Sequence, residues 1–342
     1  MSRVGQEHPW GRWATWALVA ALAVVLAGPA LRWLILDATW TGDSRAACDP
    51  AGACWAMITA RAPQILIGFY PPGHGVRVLL AVLALAAGLS PLALPRRAGL
   101  TLVTAPLGAV VCLALMGGAR LLPSVPSAYW GGLALNLIVG AVCAIFALPL
   151  GVLLGLARQS PLPVIRLLAS AYVETARAAP LIVVLFAAAV LGPLLLPPAL
   201  PLDKLGRAMV AITLFEAAYM AEAVRGGLMA VPQGQREAAR ALGLGPVRAL
   251  CDVVLPQALR TATPALVNSF IGLLKDTSLL YVIGVLDITG VLRNAVSDFA
   301  WQGLEPEAYL FVGLSFWLLC FGLSRAAAAL ERRLQIAPRS PA

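Results

Sequence analysis

Lysine, histidine and charge of either sign are scarce in this sequence of 342 residues. Only two lysines, Lys204 and Lys275, and two histidines, His8 and His74, occur, and charged residues make up 12% against 60% hydrophobic. A soluble domain is about a quarter charged, so this composition excludes an ordinary soluble fold. With only His8 and His74, metal chemistry is not expected. Neither lysine sits in the G-x-x-x-x-G-K-[ST] cradle of phosphate-loop chemistry, because Lys204 follows Asp203 and Lys275 follows Leu274. The chain therefore has no ATP cradle of its own. G-x-S-x-G and H-E-x-x-H are missing as well, which argues against hydrolytic enzyme chemistry. The net charge of +9 is almost all arginine, yet no basic helix or aromatic-interleaved patch suited to nucleic acid accompanies it.

What is present is apolar blocks of membrane length, about 20 residues each. Eight candidate spans run Thr15–Leu36, Val76–Leu94, Gly99–Gly117, Gly131–Ala157, Ile165–Leu196, Arg207–Val231, Pro264–Val285 and Ala308–Ala328. The first run continues through Leu36, beyond the 7–15 residues of a signal-peptide core, and is expected to be a retained helix. The fold class expected is all-α integral membrane with about eight transmembrane helices. With the N-terminus inside, Arg3, Arg12, Arg96, Arg97, Arg158, Arg166, Arg236, Arg240, Arg248, Arg260, Arg325, Arg332, Arg333 and Arg339 are cytoplasmic. Arg45, Arg61, Arg77, Arg120, Lys204, Arg207 and Arg293 are then external. That two-to-one bias predicts both termini on the cytoplasmic side.

Cys112, Cys143 and Cys320 lie in apolar runs and read as small packing residues, whereas Cys251 falls in a segment expected in the cytoplasm. Cys48 and Cys54 lie in the external loop 37–75 and are either a disulfide or two free thiols. Pro149 and Pro180 interrupt helical hydrogen bonding. Gly151 and Gly155 have the spacing that lets two helices approach closely.

The most informative stretch is a polar break, PQGQREAARALGLGPVRALCDVVLPQALR (Pro232–Arg260). Residues Glu237–Leu242 favour helix, Gly243 and Gly245-Pro246 end it, and a second short helix runs to about Val254, with Pro256 expected to reset the chain. This is a short helix–turn–helix tethered to two spans. Glu237-Ala238-Ala239, Gly243, Val253 and Leu255-Pro256 at their spacing resemble the EAA motif of binding-protein-dependent ABC importer permeases, with Val253 where isoleucine is commoner. YVETARAAPLIVVLF (Tyr172–Phe186), AYMAEAVRGGLMAVPQGQ (Ala218–Gln235) and LLKDTSLLYVIG (Leu273–Gly284) are similar to the polar amino-acid branch. GACWAMITARAPQILIGFYP (Gly52–Pro71) is similar to the longer membrane subunits of general L-amino-acid importers. Arg177-Ala178-Ala179-Pro180 departs from the commoner Arg-Asn/Gly-Thr-Pro.

The resemblance implies residues 129–335 as a five-helix type I importer (MetI-like) core, with a cytoplasmic coupling loop at 232–256. Residues 1–128 become a three-helix extension with a periplasmic loop at 37–75. It implies that Glu237, Ala238, Ala239, Arg240, Gly243, Leu255 and Pro256 serve the ATPase-coupling loop. Its implied partners are a second permease subunit in a heterodimer, two cytoplasmic ATP-binding subunits that bind the ATP and magnesium, a periplasmic amino-acid-binding protein and the lipid of the bacterial inner membrane.

Ionisable groups at membrane depth are costly and mark interiors or wet cavities. Glu174 with Arg177, and Glu222 with Arg225, are three apart and are expected to pair on their own helices. Glu216 has no basic neighbour at helical spacing. With Tyr219, Asn268, Lys275 and the nearby Asp276 it forms the candidate set for an amino-acid substrate, whose two charges require opposite partners. An ion-gradient-driven secondary amino-acid transporter would also use such charges, but would not require the tethered loop.

Overall fold

The computed structural model describes residues 9–93, 98–118, 122–195, 197 and 202–333. Arg3, Arg96, Arg97, Arg120 and Arg339, counted above for orientation, lie outside the described residues, as do the expected span ends Leu94 and Leu196. Among the described residues the chain is helical, with only isolated β-bridges. It divides into two compact units. One comprises the chain up to Ala62 together with Arg293–Phe311, and the other Pro63–Leu292 with Val312 onward.

The first unit contains α1 (Pro9–Leu31) and a polar loop folded on a small core. Trp13, Trp16, Leu18, Leu22, Val24 and Leu26 of α1 are exposed, whereas Ala53–Met57 are buried. Cys48 and Cys54 form a disulfide, with their Cα atoms 5.5 Å apart. That resolves the two readings open in the sequence. The backbone N–H of Cys54 donates to Glu307 Oε1 at 3.2 Å, and Arg61 pairs with Asp298 at 2.5 Å. The Arg45 guanidinium donates to the Gln302 carbonyl at 2.5 Å.

The second unit opens with a hairpin of α2 (Gly75–Leu89) and α3 (Thr101–Gly117). A helix ends on carbonyls without intrahelical partners, and here buried side chains supply donors. Arg77 donates to the Leu115 carbonyl through Nε and Nη2 at 3.0 and 2.7 Å, and Tyr70 donates to the Met116 carbonyl at 2.8 Å. α4 (Gly132–Ala157) follows, then α5 (Pro163–Ala178) and α6 (Leu181–Phe186). Ala179 is extended before Pro180, as the residue preceding a proline prefers, and the helices on either side are bent by 102°. The single span expected over Ile165–Leu196 is therefore broken.

α7 (Lys204–Ala230) runs against α4, and the glycines set their separation. A Cβ on Gly151 would lie 2.6 Å from that of Met220, and one on Gly155 3.0 Å from the Ala221 carbonyl. α8 (Gln233–Ala241) is the polar helix. Beyond it, Pro246–Arg248 and a π turn at Ala249–Val254 lead into α9 (Leu255–Asp276) without a break, in one 38-residue helix, Pro246–Ile283. The expected reset at Pro256 does not occur. Proline lacks a donor and is tolerated in the first turn of a helix, and the wider π turn before it takes up the mismatch. α10 (Ile288–Val296) and α11 (Glu305–Arg333) complete the chain.

Among the described residues five helices are long and apolar enough to cross a membrane, or six with the bent pair. The expectation of eight included Gly99–Gly117, where the helix itself, Thr101–Gly117, is short at 17 residues. It also included α7, which is 27 residues long but carries Lys204, Arg207, Glu216, Glu222 and Arg225.

A buried polar clip joins α4 to the chain after α9. Asn136 Nδ2 donates to Thr277 Oγ1 at 3.0 Å and to Asp287 Oδ2 at 3.2 Å, and its Oδ1 accepts from the Ile288 N–H at 3.1 Å. Asp287 caps α10 by accepting from the Gly290 N–H at 2.9 Å. Burial pushes this carboxyl from 3.8 up to about 6, against the hydrogen bonds that oppose the rise. The folded state thus keeps the proton to higher pH than the unfolded chain. The stabilising contribution is complete below pH 3.8 and lost as pH rises to about 6. Thermal unfolding in detergent is expected to show the native chain losing stability relative to Asp287→Asn over that window, with the difference constant above it. A difference that does not change with pH would show that Asp287 is not the titrating group.

Candidate functional site

The tethered loop takes its shape from one glycine. The Gly243 N–H donates to the Arg240 carbonyl at 2.9 Å and the Leu244 N–H to the Ala239 carbonyl at 3.1 Å. This is the paired bonding of a Schellman cap, which requires a left-handed residue. Gly243 supplies it with φ +78°. Ala239 is the one buried residue of α8, packed toward the π turn, while Glu237, Ala238 and Arg240 are exposed. The cap presents Leu242, 82% exposed, and Val247, 73% exposed, at the tip of the loop. Leu255 is half-buried and Pro256 exposed at the start of α9. The loop is thus an apolar knob flanked by charges and built on a rigid turn.

Above it lies an ionic network at the ends of α4, α5 and α7. Arg158, the C-cap of α4, donates to Glu222 at 2.5 Å and to Glu174 at 3.2 Å. Arg177, in the last turn of α5, lies 3.5 Å from Glu222, and Arg225 pairs with Glu222 on α7. The expected Glu222–Arg225 pair forms. The expected Glu174–Arg177 pair is not among the ion pairs of the described residues. Glu174 reaches across to α4 and Arg177 to α7, because Glu222 gathers guanidinium groups from two neighbouring elements as well as its own. Arg158 and Arg177 also sit beside helix C-termini, where the helix dipole favours cations.

Two cavities flank this network. One, about 470 Å³, lies between the ends of α4 and α7 and the helix α8, and Arg158, Arg225, Arg236, Glu237 and Arg240 line it. The other, an open groove of about 390 Å³ between α7 and α9, is lined by Arg177, Tyr219, Glu222, Gly227, Thr261 and Ser269. Arg158 and Arg225 face the first and Arg177 and Glu222 the second, so the ion pairs form a septum between them.

The substrate candidates divide. Tyr219 lines the groove, with the Arg177 guanidinium 5.5 Å from its ring centroid. Glu216 is buried one turn deeper, and its carboxyl faces that of Asp276 on α9. Lys275, next to Asp276, and Asn268 are exposed on α9, outside the groove lining.

Sequence reading missed the central role of Arg158, which counted only as a cytoplasmic charge. It also missed Asn136, Thr277 and Asp287. Asn136 alone carried a signal, as a side-chain amide inside an apolar run that needed a buried partner.

Residues 147–336 match the family described as binding-protein-dependent transport system inner membrane component. The chain is 41% identical to the inner membrane amino-acid ABC transporter permease protein YhdY of Escherichia coli strain K12, over 94% of this chain and 86% of that protein. It is 36% identical to the glutamate/glutamine/aspartate/asparagine transport system permease protein BztC of Rhodobacter capsulatus, over 91% and 88%. A solved amino-acid ABC transporter, crystallised with histidines, aligns with a TM-score of 0.53 at 29% identity, over 59% of this chain and 92% of that one. The chain belongs to the binding-protein-dependent transport system inner membrane components, the membrane-spanning, non-hydrolytic subunits of ATP-driven importers.

Proposed function

We propose that this subunit carries amino acids inward, and that α8 and its glycine-capped turn are the part that two ATP-binding subunits grip. The carrying observation is the stacking of knob, arginine-lined cavity, ionic septum and groove along the ends of α4, α7 and α9. A displacement of α8 acts on the wall holding Arg158 and Arg225, and hence on the carboxylate that closes the septum. The relatives' printed substrates, amino acids in each case, support the cargo. No feature of the described residues or of the relatives favours an ion-gradient-driven carrier.

In this reading residues 129–335 are the transport core, paired with a second permease subunit, and residues 1–128 are an extension with its loop at 37–75 outside. Both termini then lie in the cytoplasm, and a binding protein delivers the substrate from the periplasm. Glu216, Tyr219 and Asp276 line or adjoin the path, while Lys275 and Asn268 meet substrate only from their exposed face of α9.

The test is co-purification with the ATP-binding subunits, followed by substrate-stimulated ATP hydrolysis in liposomes. Glu216→Gln keeps the hydrogen-bonding shape but removes the acid. It is expected to lower uptake about tenfold, in line with losing one charge-assisted hydrogen bond, while the subunits stay assembled. Normal uptake by that variant would take Glu216 out of the path, and failure of any ATPase to bind the chain would overturn the assignment of α8.

A further inference from the structure

We propose that the cavity beneath α8 binds the phosphate headgroup of an anionic phospholipid. Four arginines line it against the single carboxylate of Glu237. Arg158 and Arg225 are engaged with Glu222, but among the described residues Arg236 and Arg240 make no ion pair. The charge surplus is therefore local and unspent. Guanidinium groups present a fixed fork of donors that matches phosphate oxygens.

Part of the lining is apolar, and its exposed member lies beside an arginine, with Arg225 Nη1 donating to Met229 Sδ at 2.8 Å. Leu228, Met229 and Val231 line the same cavity, and Met229 is 66% exposed. A free inorganic anion gains nothing from such a surface, whereas a lipid lays its glycerol and first methylenes on it. The position fits too, since the cavity opens at the end of α4, a helix long and apolar enough to cross a membrane. Basic pockets between transmembrane helices are the usual seats of anionic headgroups. The volume of about 470 Å³ accommodates a glycerophosphate head. The proposal needs only that α4 spans a bilayer, and does not depend on which substrate is carried.

The experiment is lipid titration of the detergent-purified transporter, read by native mass spectrometry as lipids retained per copy of this chain. Phosphatidylglycerol, phosphatidylcholine and inorganic phosphate are the probes, and the exposed Arg166→Gln is the control. Phosphatidylglycerol is expected to be retained in preference to phosphatidylcholine. Arg236→Gln combined with Arg240→Gln is expected to weaken that retention tenfold or more, as loss of two charge-assisted hydrogen bonds would, while Arg166→Gln leaves it unchanged. Met229→Glu, which introduces repulsion without removing an arginine, should expel the same lipid and serves if the double variant does not assemble. Unchanged retention in both variants would overturn the proposal. So would competition by millimolar phosphate, which would make this a free-anion site. Loss of the ATP-binding subunits with lipid retention intact would overturn it as well, assigning the arginines to a protein interface.

Discussion

A Gly243→Val transporter is expected to lose about nine-tenths of its substrate-stimulated ATP hydrolysis, while Gly243→Asn keeps most of it. Gly243 sits at φ +78° and has open space where a Cβ would go, so the effect comes from the backbone and not from packing. A β-branched residue in the left-handed region costs roughly 1–2 kcal/mol, and 1.4 kcal/mol is tenfold in a population. The population lost is the one in which the Schellman cap directs Leu242 and Val247 outward together. Asparagine tolerates the left-handed region and should restore the loop. Equal activity of the two variants in liposomes would mean that the turn is not what the ATPase reads.

The second large effect is expected at Glu222. Glu222→Gln leaves Arg158, Arg177 and Arg225 sharing one site without the carboxylate that gathers them. Removing one member of a desolvated charge cluster costs about 2–5 kcal/mol. The low end, about 2 kcal/mol, applies here because the side chain retains 26% exposure and water screens the rest. Melting in detergent should fall accordingly, and ATP hydrolysis without substrate should rise as the septum loosens. Adding Arg158→Gln removes one of the stranded cations, so the double variant should be less destabilised than the sum of the two single changes. Strict additivity would show that the septum is not a coupled unit.

The polar loop at 232–256 was legible in the sequence because its signals are local. Polar α8, Gly243 at the cap and Gly245-Pro246 beyond it each act within a few residues. The helix-packing glycines were legible for a similar reason, since a GxxxG spacing describes one face of one helix. The partners of the intramembrane charges were not. Glu174 found Arg158 and Glu216 faces Asp276, choices made between different helices that packing brings together.

The sequence by itself determined that this chain lives in a membrane, lacks the phosphate-loop motif and holds a polar loop between two long helices. Composition and short-range spacing fix those properties whatever the packing. Only the tertiary structure decided that three arginines and one glutamate form a septum with a cavity on either side, that the span at Pro180 is broken, and that Pro256 lies inside a continuous helix. Each of these depends on which helices lie side by side, because a buried charge or an unpaired carbonyl takes its partner from whatever neighbour the fold provides.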